Sequence, residues 1–486
     1  MDQDASRKDL LRQTLELLRK KGVDYADIRL VGTLRETISV KNRQVEATGF
    51  SDEEGAGVRV LADGAWGFAA DSRLTEKSLA AAAEDAIRIA RASATAKRAD
   101  VILAEVEPAV AQYESPYQQD PFEVSLDDKL ALLFSATELL GDDPRIVVAA
   151  GYMDFMKKRQ VFASTEGAWI EQRILHSGTG ISAVAREGDE VQRRSYPNVF
   201  GGDFVSGGYE FVLEQDLAGN AQRIREEAVA LLTAPACPHQ KTDLILHGDQ
   251  LALQVHESCG HPIELDRVMG TEISLAGGSF LTTDKLGGYR YGSPAVNITA
   301  DATIPGALGS FGFDDEGVPA QRTPIVREGI FVGYLTSRET APAISQRSNG
   351  TMRADGWGRI PLIRMTNINL EPGQGSLEDL IADTDHGILM QSNKSWSIDD
   401  LRLNFQFGCE IAWEIKGGRL GSILKNPVYT GITPQFWASC DAVCGPEHWR
   451  VWGVPNCGKG EPMQTARVAH GTSPARFRNV QVGVKK

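Results

Sequence analysis

The chain has 486 residues, 42% of them hydrophobic and 24% charged, the composition of a soluble globular protein with length for two or three domains. Acidic residues number 65 against 51 basic, a net charge of −14, which argues against general nucleic-acid binding. No apolar run reaches the roughly 18 residues of a membrane span, and the charged opening MDQDASRKDLLRQ lacks the apolar stretch of a signal peptide, so a cytoplasmic protein is expected.

Residues 5–22 carry a leucine stripe and predict an amphipathic helix. Strand-like runs follow at 27–31, 36–41, 44–48, 55–61 and 65–70, with a turn signal at Asn42 and a hairpin signal at Asp63-Gly64. Helix resumes over about 75–92, so residues 1–103 read as an N-terminal α+β domain with helices on one side of an antiparallel sheet. Residues 104–124 hold Pro108, Pro116 and Pro121 and read as an extended linker. The region 125–234 reads as a central α+β domain: helix at 126–140, strands near 146–156, 159–164, 169–177 and 179–187, and a long helix near 214–232. Its helix–strands–helix order echoes the first unit without a sequence repeat. Pro235 and Pro238 mark a boundary, and 239–486 reads as a mainly β domain, rich in glycine, with strands near 242–246, 297–300, 325–326, 331–334, 363–369 and 408–415 and a helix at 377–383.

The chemistry concentrates in QLALQVHESCGHPIELD, residues 250–266. Leu251, Val255 and Cys259 fit one buried helix face, and Asp249 is a candidate cap, so His256 and Glu257 are expected on a helix opening at about Asp249. Zinc-protease helices usually set two histidines four residues apart on one face. Here His256 and His261 are five apart, which in a straight α-helix separates them by roughly 140° around the axis. A local π-turn repairs this. So does an ending helix, bent at Gly260 and forced out of α geometry at His261 by Pro262. Two neutral imidazoles suit zinc, and a glutamate beside the first is placed to act as general base.

A catalytic zinc wants a third protein ligand. Glu264 and Asp266 are near in sequence, while Cys440, Cys444, His448 and Cys457 are far, and spacing alone does not choose among them. Cys440 and Cys444 form a CxxxC pair, not the doubled CxxC of a structural zinc site, and the six cysteines otherwise read as free thiols.

The run His256, Glu257, Gly260, His261, Glu264, Asp266 resembles the signature of the TldD/PmbA family, in its TldD-like metalloprotease branch. Further blocks are similar: Arg59-Val60 to Gly67-Phe68, Asp315-Glu316-Gly317 to Arg322-Thr323, Met365-Thr366-Asn367 to Pro372-Gly373, and the cysteine loop Asn456-Cys457-Gly458-Lys459-Gly460. The resemblance implies a zinc peptidase in which His256, His261 and Cys457 hold Zn2+ and Glu257 is the general base. Glu264 and Asp266 are then expected to orient the histidines through their ring N–H groups. It further implies unfolded or flexible peptides as substrates, and a homodimer or a heterodimer with a TldE/PmbA-like paralogue. The rival readings are a non-catalytic partner of such a complex, which would lack the histidine motif, and a regulatory binding subunit. Arg353, in the family-like stretch Asn349-Gly350-Thr351-Met352-Arg353, offers itself to a substrate carboxylate or merely to surface acids.

Overall fold

The computed structural model describes residues 3–273 and 277–484. Its first part runs α1 (Gln3–Lys20), β1 (Tyr25–Lys41), β2 (Gln44–Ala62), β3 (Ala65–Asp71) and α2 (Glu76–Ala94). Asp63 and Gly64 turn the β2–β3 hairpin at positive φ, and Thr75 and Ser78 cap α2 reciprocally. The stretch expected as linker contributes an edge strand, β4 (Val110–Glu114). Then come α3 (Leu126–Leu140), β5 (Ile146–Ser164), β6 (Trp169–Glu187), β7 (Glu190–Tyr196), β8 (Asp203–Val205), α4 (Glu210–Glu214) and α5 (Leu217–Thr233). Several strands expected as pairs of short runs are single long ones. In β2 the apolar alternation fades because its first half, residues 44–53, is exposed throughout.

The two helix–strands–helix units share one sheet in the order β3-β2-β1-β5-β6-β4, with β7 and β8 also paired to β6. The seam is β1 against β5, antiparallel from Asp27↔Ser164 to Lys41↔Ala150. Side chains alternate across the strands. Even residues of β1 and odd residues of β5 (Ile28, Leu30, Ile38, Val40, Met153, Phe155, Val161, Ala163) pack under the helices in two cores, one beneath α1 and α2, the other beneath α3 and α5. At Gly67 a Cβ would stand 2.0 Å from the Ala86 carbonyl oxygen, so glycine lets α2 lie close on the sheet.

The opposite face of the sheet meets the rest of the chain through buried charge. Arg59 bonds Asp27 at 2.7 Å and Glu316 at 3.1 Å, and Arg29 reaches Asp315 at 3.2 Å. The remaining chain begins with β9 (Gln240–Leu246) and α6 (Gly248–Val255). β9 lies inside a seven-stranded sheet, parallel to His386–Ile398 on one side and antiparallel to Ala475–Val482 on the other. A four-stranded sheet and two two-stranded ribbons, Met352–Arg353 with Leu362–Ile363 and Arg450–Lys459 with Gln464–Thr472, complete this mainly β region. The fold is α+β, as expected. Among the described residues no helix is long and apolar enough to cross a membrane.

Arg59 is fully enclosed with two carboxylates, so Arg59→Ala leaves both without their cation. It should lower stability by about 3–5 kcal/mol, read from the urea midpoint. Arg322, 57% exposed beside Glu371, is the control, and Arg322→Ala should cost less than about 1 kcal/mol. Equal losses would show that the Arg59 cluster is not what joins the two regions.

Candidate metal centre

α6 is buried along its whole length, because it runs from the core of the seven-stranded sheet toward the later ribbon, Arg450–Lys459 with Gln464–Thr472. It starts one residue earlier than expected, at Gly248, and Asp249 does not cap it: its carboxylate bonds His247 at 2.8 Å and Ser392 at 2.7 Å. After Val255 the ladder lengthens. Residues His256–Gly260 form a π-turn in which the His261 N–H donates to the His256 carbonyl. Five residues then make one full turn, and the two imidazoles face each other edge to face with centroids 4.9 Å apart. The alternative, a helix ending at Gly260, is not used. Gly260 and His261 both keep helical torsions, and Pro262 is accommodated by a following 3-10 turn. Gly260 is required for a different reason: a Cβ there would stand 2.2 Å from Met365 Sδ.

Cys457 comes from the ribbon. Between Val454↔Val468 and Cys457↔Ala466 the first strand carries one extra residue, a bulge that re-aims the side chains beyond it. The stretch expected as a glycine-flanked loop is thus strand, turning only after Lys459. The Cys457 thiol lies 3.8 Å from His261 Nε2, and one ligand atom from each of His256, His261 and Cys457 lies within 4.8 Å of the others. All three residues are buried, at 4, 5 and 3% exposure. Among the described residues, Cys440, Cys444 and His448 take no part in this group, and all six cysteines are free thiols.

Hydrogen bonds fix which nitrogen each ring presents. His261 Nδ1 donates to Glu264 Oε2 at 3.1 Å, leaving Nε2 toward the thiol. His256 Nδ1 lies 2.8 Å from His470 Nε2, and His470 Nδ1 lies 2.9 Å from the Ile368 carbonyl. A carbonyl only accepts, so the His470 proton sits on Nδ1, the His256 proton on its own Nδ1, and the His256 Nε2 lone pair is left free. Burial holds all three imidazoles below the ordinary histidine value, His470 furthest, and so neutral. Sequence reasoning passed over His470: it lies 214 positions from His256 and no local pattern marks it.

Of the two carboxylates expected to orient histidines, only Glu264 does so. Burial raises its carboxyl, but Lys459, His261 and Arg267 outweigh that and hold it well below its ordinary value. Asp266 reaches no histidine. Both its oxygens bond the buried Lys459 ammonium, at 2.7 and 2.9 Å, and Lys459 also donates to the Ile363 carbonyl at 2.8 Å. Burial raises the Cys457 thiol, yet His261 and Arg364 more than offset this and bring it below an ordinary cysteine. Glu257 lies beside the group and accepts a 2.6 Å bond from Arg402, a partner that nothing in the local sequence announced. His256, Glu257, His261, Arg402 and Cys457 together line a cleft of about 500 Å³ flanked by Phe200 and Trp396, whose rings meet edge to face at 5.3 Å.

Family models described as PmbA/TldA metallopeptidase domain 1, central domain and C-terminal domain match residues 26–90, 119–233 and 239–483. The fold is therefore that of a metallopeptidase family. The chain belongs to the PmbA/TldD family. A metalloprotease of Methanocaldococcus jannaschii is 30% identical, with 89% of this chain and 92% of that protein aligned. A zinc metalloprotease TldD homolog of Saccharolobus solfataricus is 22% identical over 95% of this chain and 97% of its own length. The crystal structure of TldE from Thermococcus kodakarensis has the same fold, with a TM-score of 0.73 at 18% identity over 97% of this chain and all of that one.

The tautomer chain is directly measurable. Long-range nitrogen–proton NMR of the metal-free protein should show His256 protonated on Nδ1 near neutral pH. Replacing His470 by Phe removes the acceptor, and both tautomers of His256 should then be populated. A proton on Nε2 of His256 in the unaltered protein would contradict the assignment.

Proposed function

We propose that this chain is a zinc-dependent peptidase with His256, His261 and Cys457 as metal ligands and Glu257 as general base. The observation that supports this most is the convergence of three buried donor atoms beside a carboxylate in one cleft. The donor set fits zinc: two neutral imidazoles with Nε2 lone pairs set free by their Nδ1–H bonds, and one thiol of lowered pKa, leave a fourth position for substrate or water. Zinc bound there supplies a Lewis acid for the scissile carbonyl and acidifies a water.

The chain's own groups do the rest. Glu264 and His470 hold the two rings in one tautomer and orientation. Arg402 pins one oxygen of Glu257, leaving the other to take a proton from the attacking water and pass it to the departing amine. The ligand atoms lie below the surface, so a chain must thread into the cleft to reach them. This favours unfolded or flexible peptides over folded proteins. A second copy of the chain or a TldE/PmbA-like paralogue is the proposed partner. The six free thiols agree with a cytoplasmic setting.

Glu257→Gln keeps shape and loses basicity. It should retain zinc and fold while hydrolysing a flexible peptide at least about a hundredfold more slowly. Unchanged turnover would remove the base from the mechanism, and loss of zinc with activity would make Glu257 structural.

Cys457→Ser should lose zinc to a competing chelator while keeping the fold, because an alcohol is a poor substitute for a thiolate. His470→Phe should weaken zinc binding by about 10–100-fold, as for other groups that orient a ligating histidine. Wild-type affinity in both variants would place the metal elsewhere.

A further inference from the structure

A second, larger cavity of about 800 Å³ adjoins the metal cleft, with Phe200 and Asn456 lining both. Its floor is the face of the first sheet turned away from the helices. Asp154, Met156, Lys158 and Gln160 of β5 and Gln172, Ile174 and His176 of β6 lie on it at two-residue spacing. Arg353 and Arg467 close it from the other side.

The acids of the inner wall are already engaged. Asp154 accepts from Tyr152, Arg35 and Arg467, and Asp315 accepts from Arg29, Gln160 and the Ala354 N–H. Glu53 and Asp355 are exposed. Donors are left over. Lys158 feels the charge of Asp315 but makes no ion pair or hydrogen bond with it or with any other of the described residues. Arg467 spends Nη2 on Asp154 while its buried Nη1 is unpartnered. His176 is 6% exposed, and neither ring nitrogen has a partner.

Arg353 gives both terminal nitrogens to the carbonyls of Arg467 and Met365, and its buried Nε has none. Burial drives the His176 imidazole well below its ordinary value, and Arg467, Arg353 and Lys158 drive it further. The deep end of the cavity is therefore cationic and short of acceptors. Buried donors left without acceptors are costly, charged ones more so, and an anion bound there would offset that cost.

We infer that this cavity binds a carboxylate of the peptide substrate through Lys158, Arg467 and His176, anchoring the chain whose scissile bond lies in the neighbouring cleft. The inference rests on the peptidase reading for its substrate. A carboxylate fits the leftover donors, and a peptide brings one at its C-terminus or on an acidic side chain.

The test uses full-length Glu257→Gln protein, with any partner it purifies with, so that binding is read without turnover. Three fluorescein-labelled pentapeptides of glycine and alanine are compared by anisotropy: one with a free C-terminal carboxylate, its amide, and an amide carrying one glutamate. At least one carboxylate-bearing peptide should bind about tenfold or more tighter than the plain amide. Preference for the acid identifies the terminus, and preference for the glutamate peptide identifies a side chain.

Adding Lys158→Met should abolish the difference, and Lys158→Arg should restore much of it, which a merely misfolded variant would not do. Equal affinity for all three peptides, no binding of any, or a preference that survives Lys158→Met overturns the inference. Wild-type turnover, measured separately, reports on the peptidase reading. Hydrolysis of acid and amide alike with equal binding would leave that reading standing and remove this one.

Discussion

One backbone hydrogen bond, from the His261 N–H to the His256 carbonyl, is the constraint on which the candidate centre depends. An α-helical ladder would turn these side chains apart. Lengthening one turn by a residue brings them onto the same face. Such a turn needs support, and the surroundings supply it. Tyr291 donates to the Ser258 carbonyl at 2.9 Å, Trp437 donates to the Ser258 hydroxyl at 2.9 Å, and Met365 fills the space beside Gly260. The apolar core thus fixes the geometry of the polar group within it.

The second organising feature is charge taken out of water and matched inside. Around the histidines, Glu264, Asp266, Arg267 and Lys459 form a closed set in which each ion has a partner. Across the interface with the first sheet, Asp27, Arg29, Arg59, Asp315 and Glu316 do the same. Such pairs add little net stability over apolar contacts, but breaking one is costly, so they favour one arrangement of the regions over its neighbours. The cavity beside the cleft departs from this rule, with cationic and ring donors left unmatched.

Much of this was legible in the chain. Leu251, Val255 and Cys259 marked the buried face of the histidine helix, and all three are in the core. The π-turn stood among the two repairs that the five-residue spacing demanded. Arg59 and Glu316, noted only as members of separate family-like blocks, turn out to be bonded to each other. What stayed hidden depends on residues far apart in sequence. His470 and Arg402 act on His256 and Glu257 through single contacts that leave no periodicity. Asp266 looked equivalent to Glu264 by spacing, yet the short helix Leu265–Val268 turns it toward Lys459. The strand His386–Ile398 and those beyond residue 416 were missed because glycine, proline and charged residues interrupt their apolar alternation, as in RVWGVPNCGK at 450–459.

The position of β9 also orders events during synthesis. The strand that leads into α6 is paired on both sides by segments made much later, His386–Ile398 and Ala475–Val482, and Cys457 and His470 belong to the same late stretch. The helix-covered sheet, by contrast, draws all its strands from residues 25–205. A nascent chain can therefore complete that sheet while the donor atoms of the centre are still apart. At about 5–20 residues per second, the interval between β9 and its last partner is on the order of ten seconds or more. Until Cys457 is made the two histidines stand without it, so a ribosome-bound chain carries the motif without the assembled candidate centre.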